Sequence, residues 1–161
     1  LLKYKERTMK RYDKLIFVSN GDTCRAPMAE AVLKSKYLLE ELEILSKGLV
    51  VLFPEPVNPK AEAVLAGHGL DMSSHAAEQF AQSDLQNRNL ILVMTKALKQ
   101  KILAEYENPV NVHLLTEYIG ESGDITNPMG GTMEDYEACY QEMEKLISSL
   151  VIELNEEELL C

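Results

Sequence analysis

The chain has 161 residues, 46% of them hydrophobic, which suits one globular domain with a sizeable core and is too short for two full ones. Its 26 acidic against 16 basic residues give a formal net charge of -10, which disfavours extended binding to nucleic acid or to an anionic membrane surface. Three cysteines, Cys24, Cys139 and Cys161, form no paired spacing, metal-ligand cluster or disulfide framework, so a reducing cytoplasm is the expected compartment and no metal or cofactor is expected.

No apolar run approaches the length of a membrane span, and the first residues lack the apolar core of a signal peptide, so a soluble protein is expected. Met9 opens a compact run after eight residues that read as an upstream extension or expression remnant, giving residues 1–8, a folded domain over 9–152, and an acidic tail over 153–161. That tail mixes leucine with glutamate and is expected to be frayed or solvated. The sequence carries no sign of oligomeric state.

In chain order, Leu15-Ile16-Phe17-Val18 is a short apolar run closed by Ser19-Asn20-Gly21-Asp22, the pattern of a buried strand over residues 14–18 entering a turn. Pro27 suits a first helical position, and Met28, Ala31, Val32, Ser35, Leu38 and Leu39 follow at helical spacing. Residues 43–45, 90–94 and 110–115 read as further strands separated by helical stretches, which implies a parallel sheet with helices on both faces. Thr95 is a plausible N-cap for a helix carrying Leu98, Ile102 and Tyr106. Thr132 serves likewise for a last helix with Tyr136, Cys139, Tyr140, Met143, Leu146, Ile147 and Leu150 on one stripe. The longest irregular stretches, residues 48–59 and 120–131, are expected to line a site.

The chemistry concentrates between the first strand and the first helix. A loop at the carboxyl end of a parallel strand turns its backbone N–H groups and the helix N-terminus toward one small volume, where an oxyanion is the natural occupant. Arg25 adds a permanently charged fork that can hold two oxygens of one phosphate, and Gly21 is expected to permit the tight backbone path.

Val18-Ser19-Asn20-Gly21-Asp22-Thr23-Cys24-Arg25-Ala26-Pro27-Met28-Ala29-Glu30 resembles the signature of the low-molecular-weight protein tyrosine phosphatases, V-C-x-G-N-x-C-R-S-P-M-A-E. The likeness continues through Ser46-Lys47-Gly48, similar to the family's S-A-G turn after strand two, residues 56–61, His68-Gly69-Leu70, Ser74-His75, residues 84–95 and Asp124-Ile125-Thr126-Asn127-Pro128. It spans about residues 13 to 150 in family order. The resemblance implies an α/β, three-layer fold of the phosphotyrosine protein phosphatase I type, with a four-stranded parallel sheet. It also implies an anion-binding loop of Asn20, Gly21, Asp22, Thr23, Cys24 and Arg25, supported by Ser46 and His75.

The same resemblance locates four departures. Ser19 stands at the nucleophile position, where loop dipoles sufficient for a thiol of reference pKa about 8.5 do not ionise a hydroxyl. Asn127 stands at the general acid position and has no titrating proton; Asp124, three residues earlier, is the alternative donor. Ala26 replaces the serine that hydrogen-bonds the thiolate, and Asp22 replaces the loop asparagine. Met129-Gly130-Gly131 stands where tyrosines often form the wall for a phosphotyrosine ring.

A phosphatase-like protein that binds phosphate, sulfate or a phosphorylated partner, such as a phosphotyrosine protein, with hydrolysis absent or very weak, is therefore expected. The alternative is a working protein tyrosine phosphatase with a non-standard nucleophile, or an engineered Cys-to-Ser substrate trap; four departures rather than one favour natural drift. A related arsenate reductase would need further cysteines over residues 76–92, which has none.

Overall fold

The computed structural model describes residues 12–37 and 41–160, with side chains described as far as residue 156. The proposed upstream extension, Leu38, Leu39 and Cys161 lie outside the described residues. Four strands, β1 (Lys14–Ser19), β2 (Glu43–Gly48), β3 (Asn89–Val93) and β4 (Val112–Leu114), form one parallel sheet in the order β2-β1-β3-β4. Helices α1 (Arg25–Lys36), α2 (Pro59–Gly67), α3 (Lys96–Glu105), α4 (Leu115–Tyr118) and α5 (Met133–Leu160) connect and cover the strands.

Consecutive residues of β1 from Leu15 to Ser19 are buried, as are all of β3. Successive strand side chains point to opposite faces, so both faces of these central strands are covered, which explains the unbroken apolar runs in the sequence. The register sets Ser19 beside Gly48 at the carboxyl edge. Because β1 connects to β2 on one side while β3 and β4 extend the sheet on the other, the loop after β1 sits at the topological switch point, where ligands of open α/β sheets bind.

Pro27, expected at the first helical position, is the third residue of α1, whereas α3 and α5 start where expected, after Thr95 and Thr132. Thr95 Oγ1 accepts from Leu98 N at 3.2 Å. At the start of α5, Asp135 N donates to Thr132 Oγ1 at 3.2 Å while Thr132 N donates to Asp135 Oδ2 at 2.9 Å, a reciprocal cap. Two further expectations are corrected. Ser46-Lys47-Gly48 is not a turn after β2 but its last three residues. The acidic tail is not frayed from Glu153: α5 runs on to Leu160 and buries Leu154, extending the apolar stripe by one more turn.

Candidate functional site

Four carbonyls of the segment from Ser19 to Cys24 are held by neighbouring segments. Ser19 O accepts from Leu49 N at 3.1 Å, Asn20 O from Val50 N at 2.9 Å, and Thr23 O from Asn58 N at 2.8 Å. Asp22 O takes His75 Nε2 at 2.8 Å, which requires that nitrogen to carry its proton. With those carbonyls engaged by other segments, several loop N–H groups are left without a protein partner. Among the described residues, those of Gly21, Thr23, Cys24 and Arg25 have no protein acceptor. Helix α1 adds to this, because no side chain caps it at Cys24 and its first turn contains no acidic residue.

The tight backbone position differs from the expected one. A Cβ at Gly21 would meet nothing within 4 Å, whereas Asp22 has φ +58°. Aspartate and asparagine tolerate this left-handed conformation better than other non-glycine residues. The glycine that the loop does need is Gly48, where a Cβ would lie 2.8 Å from Asn20 O and 2.9 Å from Asp22 N. Both neighbours are loop backbone and cannot swing aside. Gly48→Ala is therefore expected to lower stability by about 1–3 kcal/mol, the usual effect of overpacking, and to weaken any anion binding with it. Thermal melts with and without sulfate read both effects.

Arg25 is buried, with 6% exposure, and Nη1 donates to Ile125 O at 3.1 Å. That bond ties the loop to the segment before α5 and leaves the other guanidinium donors available. Among the described residues no carboxylate oxygen lies within 4 Å of its nitrogens. Burial pulls Arg25 below the usual arginine range, with Cys24, Cys139 and Asp124 acting in the opposite direction, yet a guanidinium stays charged at neutral pH. A buried cation without a paired anion is costly in an apolar interior.

Ser19 is buried, and its Oγ accepts from Asp22 N at 3.2 Å. Cys24 is also buried; hydrogen bonding with Cys139 and burial push its thiol well above the ordinary range. That environment suits a packed thiol, not a nucleophilic thiolate. Cys139 reaches Cys24 from α5, a proximity across more than a hundred residues that spacing in the sequence does not reveal, and its Sγ also lies 4.0 Å from Thr126 O.

Asp22 has 0% exposure. Its Oδ2 accepts from Glu78 N at 3.0 Å and lies 3.6 Å from His75 Nε2, so the carboxylate is turned toward the 75–78 segment. Ser46 Oγ is near enough to favour the carboxylate's charge, yet Ser46 Oγ and Asp22 Oδ1 each lack a partner of good hydrogen-bond geometry. Burial pushes the Asp22 carboxyl up from 3.8 to about 6; Ser46, the Glu78 N–H and His75 oppose the rise, and Glu30 adds to it. A carboxyl raised on folding binds its proton more tightly in the native state, so it lowers stability as pH rises from about 4 to about 6, by an amount on the order of 3 kcal/mol. Asp22→Asn is accordingly expected to raise the melting temperature near neutral pH and to change it little below about pH 4.

Asn127 is exposed, and its Oδ1 accepts from Met129 N at 3.1 Å. Asp124 Oδ1 accepts from Lys96 N at 2.8 Å, so the alternative donor is engaged at the start of α3. Residues 126–131, Asp135, Ala138, Cys139 and Glu142 line a cavity of about 530 Å³. A second cleft of about 330 Å³ joins Thr23 of the loop to Phe53, Val57, Asn58 and Met129. Phe53 and Met129 are 60% and 56% exposed, so an aromatic face beside the loop comes from residue 53 and not from the 129–131 segment. Sequence reading missed it because the two segments are far apart in the chain. Lys60 Nζ holds the second segment by donating to Gly131 O at 2.6 Å.

The model of the low molecular weight phosphotyrosine protein phosphatase family matches residues 14–159. The low molecular weight protein-tyrosine-phosphatase PtpB of Staphylococcus haemolyticus is 36% identical over 137 residues, covering 85% of this chain and 96% of that protein. Among solved structures, the YwlE arginine phosphatase of Geobacillus stearothermophilus superposes with a TM-score of 0.84 at 31% identity, covering 91% of this chain and 95% of that one. A Cys-to-Ser mutant of YwlE with a phosphorylated active-site serine superposes with a TM-score of 0.83 at 31% identity, covering 89% and 96%. Sequence and fold agree over nearly the whole described chain, and it belongs to the low molecular weight phosphotyrosine protein phosphatase family.

Proposed function

We propose that this family member binds phosphate, sulfate or a phosphorylated side chain in the 19–25 loop, with hydrolysis absent or very weak. The observation that carries this reading is the buried Arg25 guanidinium without a carboxylate partner, beside loop N–H groups that have no protein acceptor. A tetrahedral oxyanion supplies both needs at once: charge for the guanidinium and lone pairs for the N–H groups. The cleft beside Phe53 and Met129 gives an apolar face for the group that bears the phosphate, which fits a phosphotyrosine protein.

Turnover lacks its two reactive groups. Ser19 is a neutral hydroxyl whose oxygen already accepts from Asp22 N, and the only loop carboxylate, Asp22, is turned toward Glu78 and His75. Asn127 has no proton to give a leaving group.

The phosphorylated serine of the YwlE mutant favours a second reading, a slow phosphoryl acceptor. In that case Ser19 Oγ forms a bond to phosphorus, the bond from phosphorus to the leaving atom breaks, and the hydroxyl proton goes to the leaving group through water. Without a group at position 127 to activate water, phosphoserine accumulates. Intact-mass measurement after incubation with an aryl phosphate or with phosphoarginine separates the readings. An unchanged mass with anion-dependent thermal stabilisation is expected for binding alone; a stoichiometric phosphate adduct lost in Ser19→Ala would establish the acceptor; and steady release of phosphate would contradict the first reading.

A further inference from the structure

We infer that oxyanion uptake by this loop is coupled to proton uptake by Asp22, which makes residue 22 the determinant of how anion affinity depends on pH. The inference rests on the reading that the 19–25 loop binds an oxyanion.

The loop holds two buried ionisable groups of opposite character. Arg25 is a cation that lacks a carboxylate partner, and Asp22, three residues before it, is a fully buried acid. Asp22 N touches Ser19 Oγ, so the residue is part of the cradle itself and not a distant neighbour. The Asp22 carboxylate, although turned toward the 75–78 segment, is fully buried on the same loop residue, so protein rather than water separates its charge from that of a bound dianion and each raises the cost of the other. The available relief is to neutralise the carboxylate.

Asp22 is built to take that proton. Its Oδ2 accepts one backbone hydrogen bond, from Glu78 N, while Oδ1 is buried without a partner, and Ser46 Oγ beside it is also without one. Ser46 Oγ can donate to an ionised Oδ1 or accept from a protonated one, so the pocket offers a partner in either state and protonation strands no atom. Charged, titratable and polar groups face it from each segment packed against it. His75 approaches from the segment after α2, with its Nε2 proton donated to Asp22 O; Glu30 faces it from α1 and disfavours its charge; Ser46 comes from β2 and is neutral; Arg25 lies on its own loop. Burial already holds its carboxyl near the range where a modest repulsion decides its state. An asparagine at this position has no such proton, so the substitution converts a fixed loop into a proton-linked one.

The test is calorimetric titration with sulfate, which stays dianionic across the range and so contributes no proton of its own. At constant ionic strength, the unaltered protein is expected to bind sulfate at least tenfold more tightly at about pH 5 than at about pH 8, with close to one proton taken up per sulfate near neutral pH in buffers of differing ionisation enthalpy. Asp22→Asn is expected to bind with little pH dependence, no matching proton uptake, and higher affinity than the unaltered protein at about pH 8. Equal affinity at both pH values in the unaltered protein, with no proton taken up, overturns the inference while leaving anion binding intact. A slope that survives in Asp22→Asn also overturns it, because the proton then goes to a group other than Asp22. Should the variant fail to fold, the buffer series on the unaltered protein alone still decides between one proton and none. Absence of sulfate binding at every pH in both proteins overturns the anion-binding reading, and this inference with it.

Discussion

Arg25→Ala is expected to weaken phosphate or sulfate binding by roughly 100-fold or more, the loss of a two-pronged, charge-assisted contact of about 3 kcal/mol. In the unaltered protein, anion at about a hundred times its dissociation constant should stabilise the fold by about 2.7 kcal/mol, which a melt resolves as a shift of several degrees. The variant should show almost none of that shift. Its melt without anion is less simply determined, since two terms oppose. Removing a buried, unpaired cation relieves desolvation, while Ile125 O loses its donor. Arg25→Lys separates charge from shape: it keeps the cation but not the fork, and should recover only part of the anion response. An anion-induced shift of undiminished size in Arg25→Ala would mean that sulfate acts elsewhere on the chain.

The second large effect is gain of turnover. Ser19→Cys installs a thiol among unsatisfied N–H groups, at a helix start and near a guanidinium, the conditions that lower a thiol pKa from about 8.5. Ser19→Cys alone should give slow release of phosphate from aryl phosphates. Adding Asn127→Asp should raise the rate by a further 10²- to 10⁴-fold, roughly the contribution of a positioned general acid. Asp22 works against both variants, because its charge opposes a thiolate and a bound dianion in the same loop. A third change, Asp22→Asn, should therefore lift activity most above about pH 6, where the carboxyl is ionised. Initial-rate measurements over pH with the single, double and triple variants check the order. Appreciable turnover by the unaltered protein that Arg25→Ala abolishes would contradict the account of lost catalysis.

The fold was legible because its main signals are local. Leu15 to Val18 form an apolar run since β1 is covered on both faces, and Thr95 and Thr132 bond to the backbone three residues ahead. Arg25 was also legible, since its placement follows from a strand ending just before a helix starts. Contacts that close over long sequence distances were not. That Gly48 must be small depends on Asn20 and Asp22 approaching from another strand's loop. Asp124 looked available until the start of α3 was brought against it. The pairing of Cys24 with Cys139 and the meeting of Phe53 with Met129 depend on how α5 and two loops pack, which no spacing encodes. Position 22 belongs to both groups: its departure from the family signature is visible in the sequence, while its complete burial and unpartnered oxygen are visible only in three dimensions.

Charge explains why a negatively charged chain can still be an anion binder. The formal net charge of -10 is spread over the whole sequence, whereas the field inside the loop is set by one buried guanidinium and a few N–H dipoles at short range. Exposed acidic residues act across water and are screened within about 8–10 Å at physiological salt. They should slow the encounter with a dianion more than they weaken the bound state.

The most direct measurement is a crystal structure of the unaltered protein grown with sulfate. The account predicts a tetrahedral anion over residues 21–25, with the N–H groups of Gly21, Thr23, Cys24 and Arg25 within hydrogen-bond distance and two oxygens on the Arg25 fork. A loop empty at high sulfate concentration, with Arg25 turned to a carboxylate of the chain instead, would contradict it.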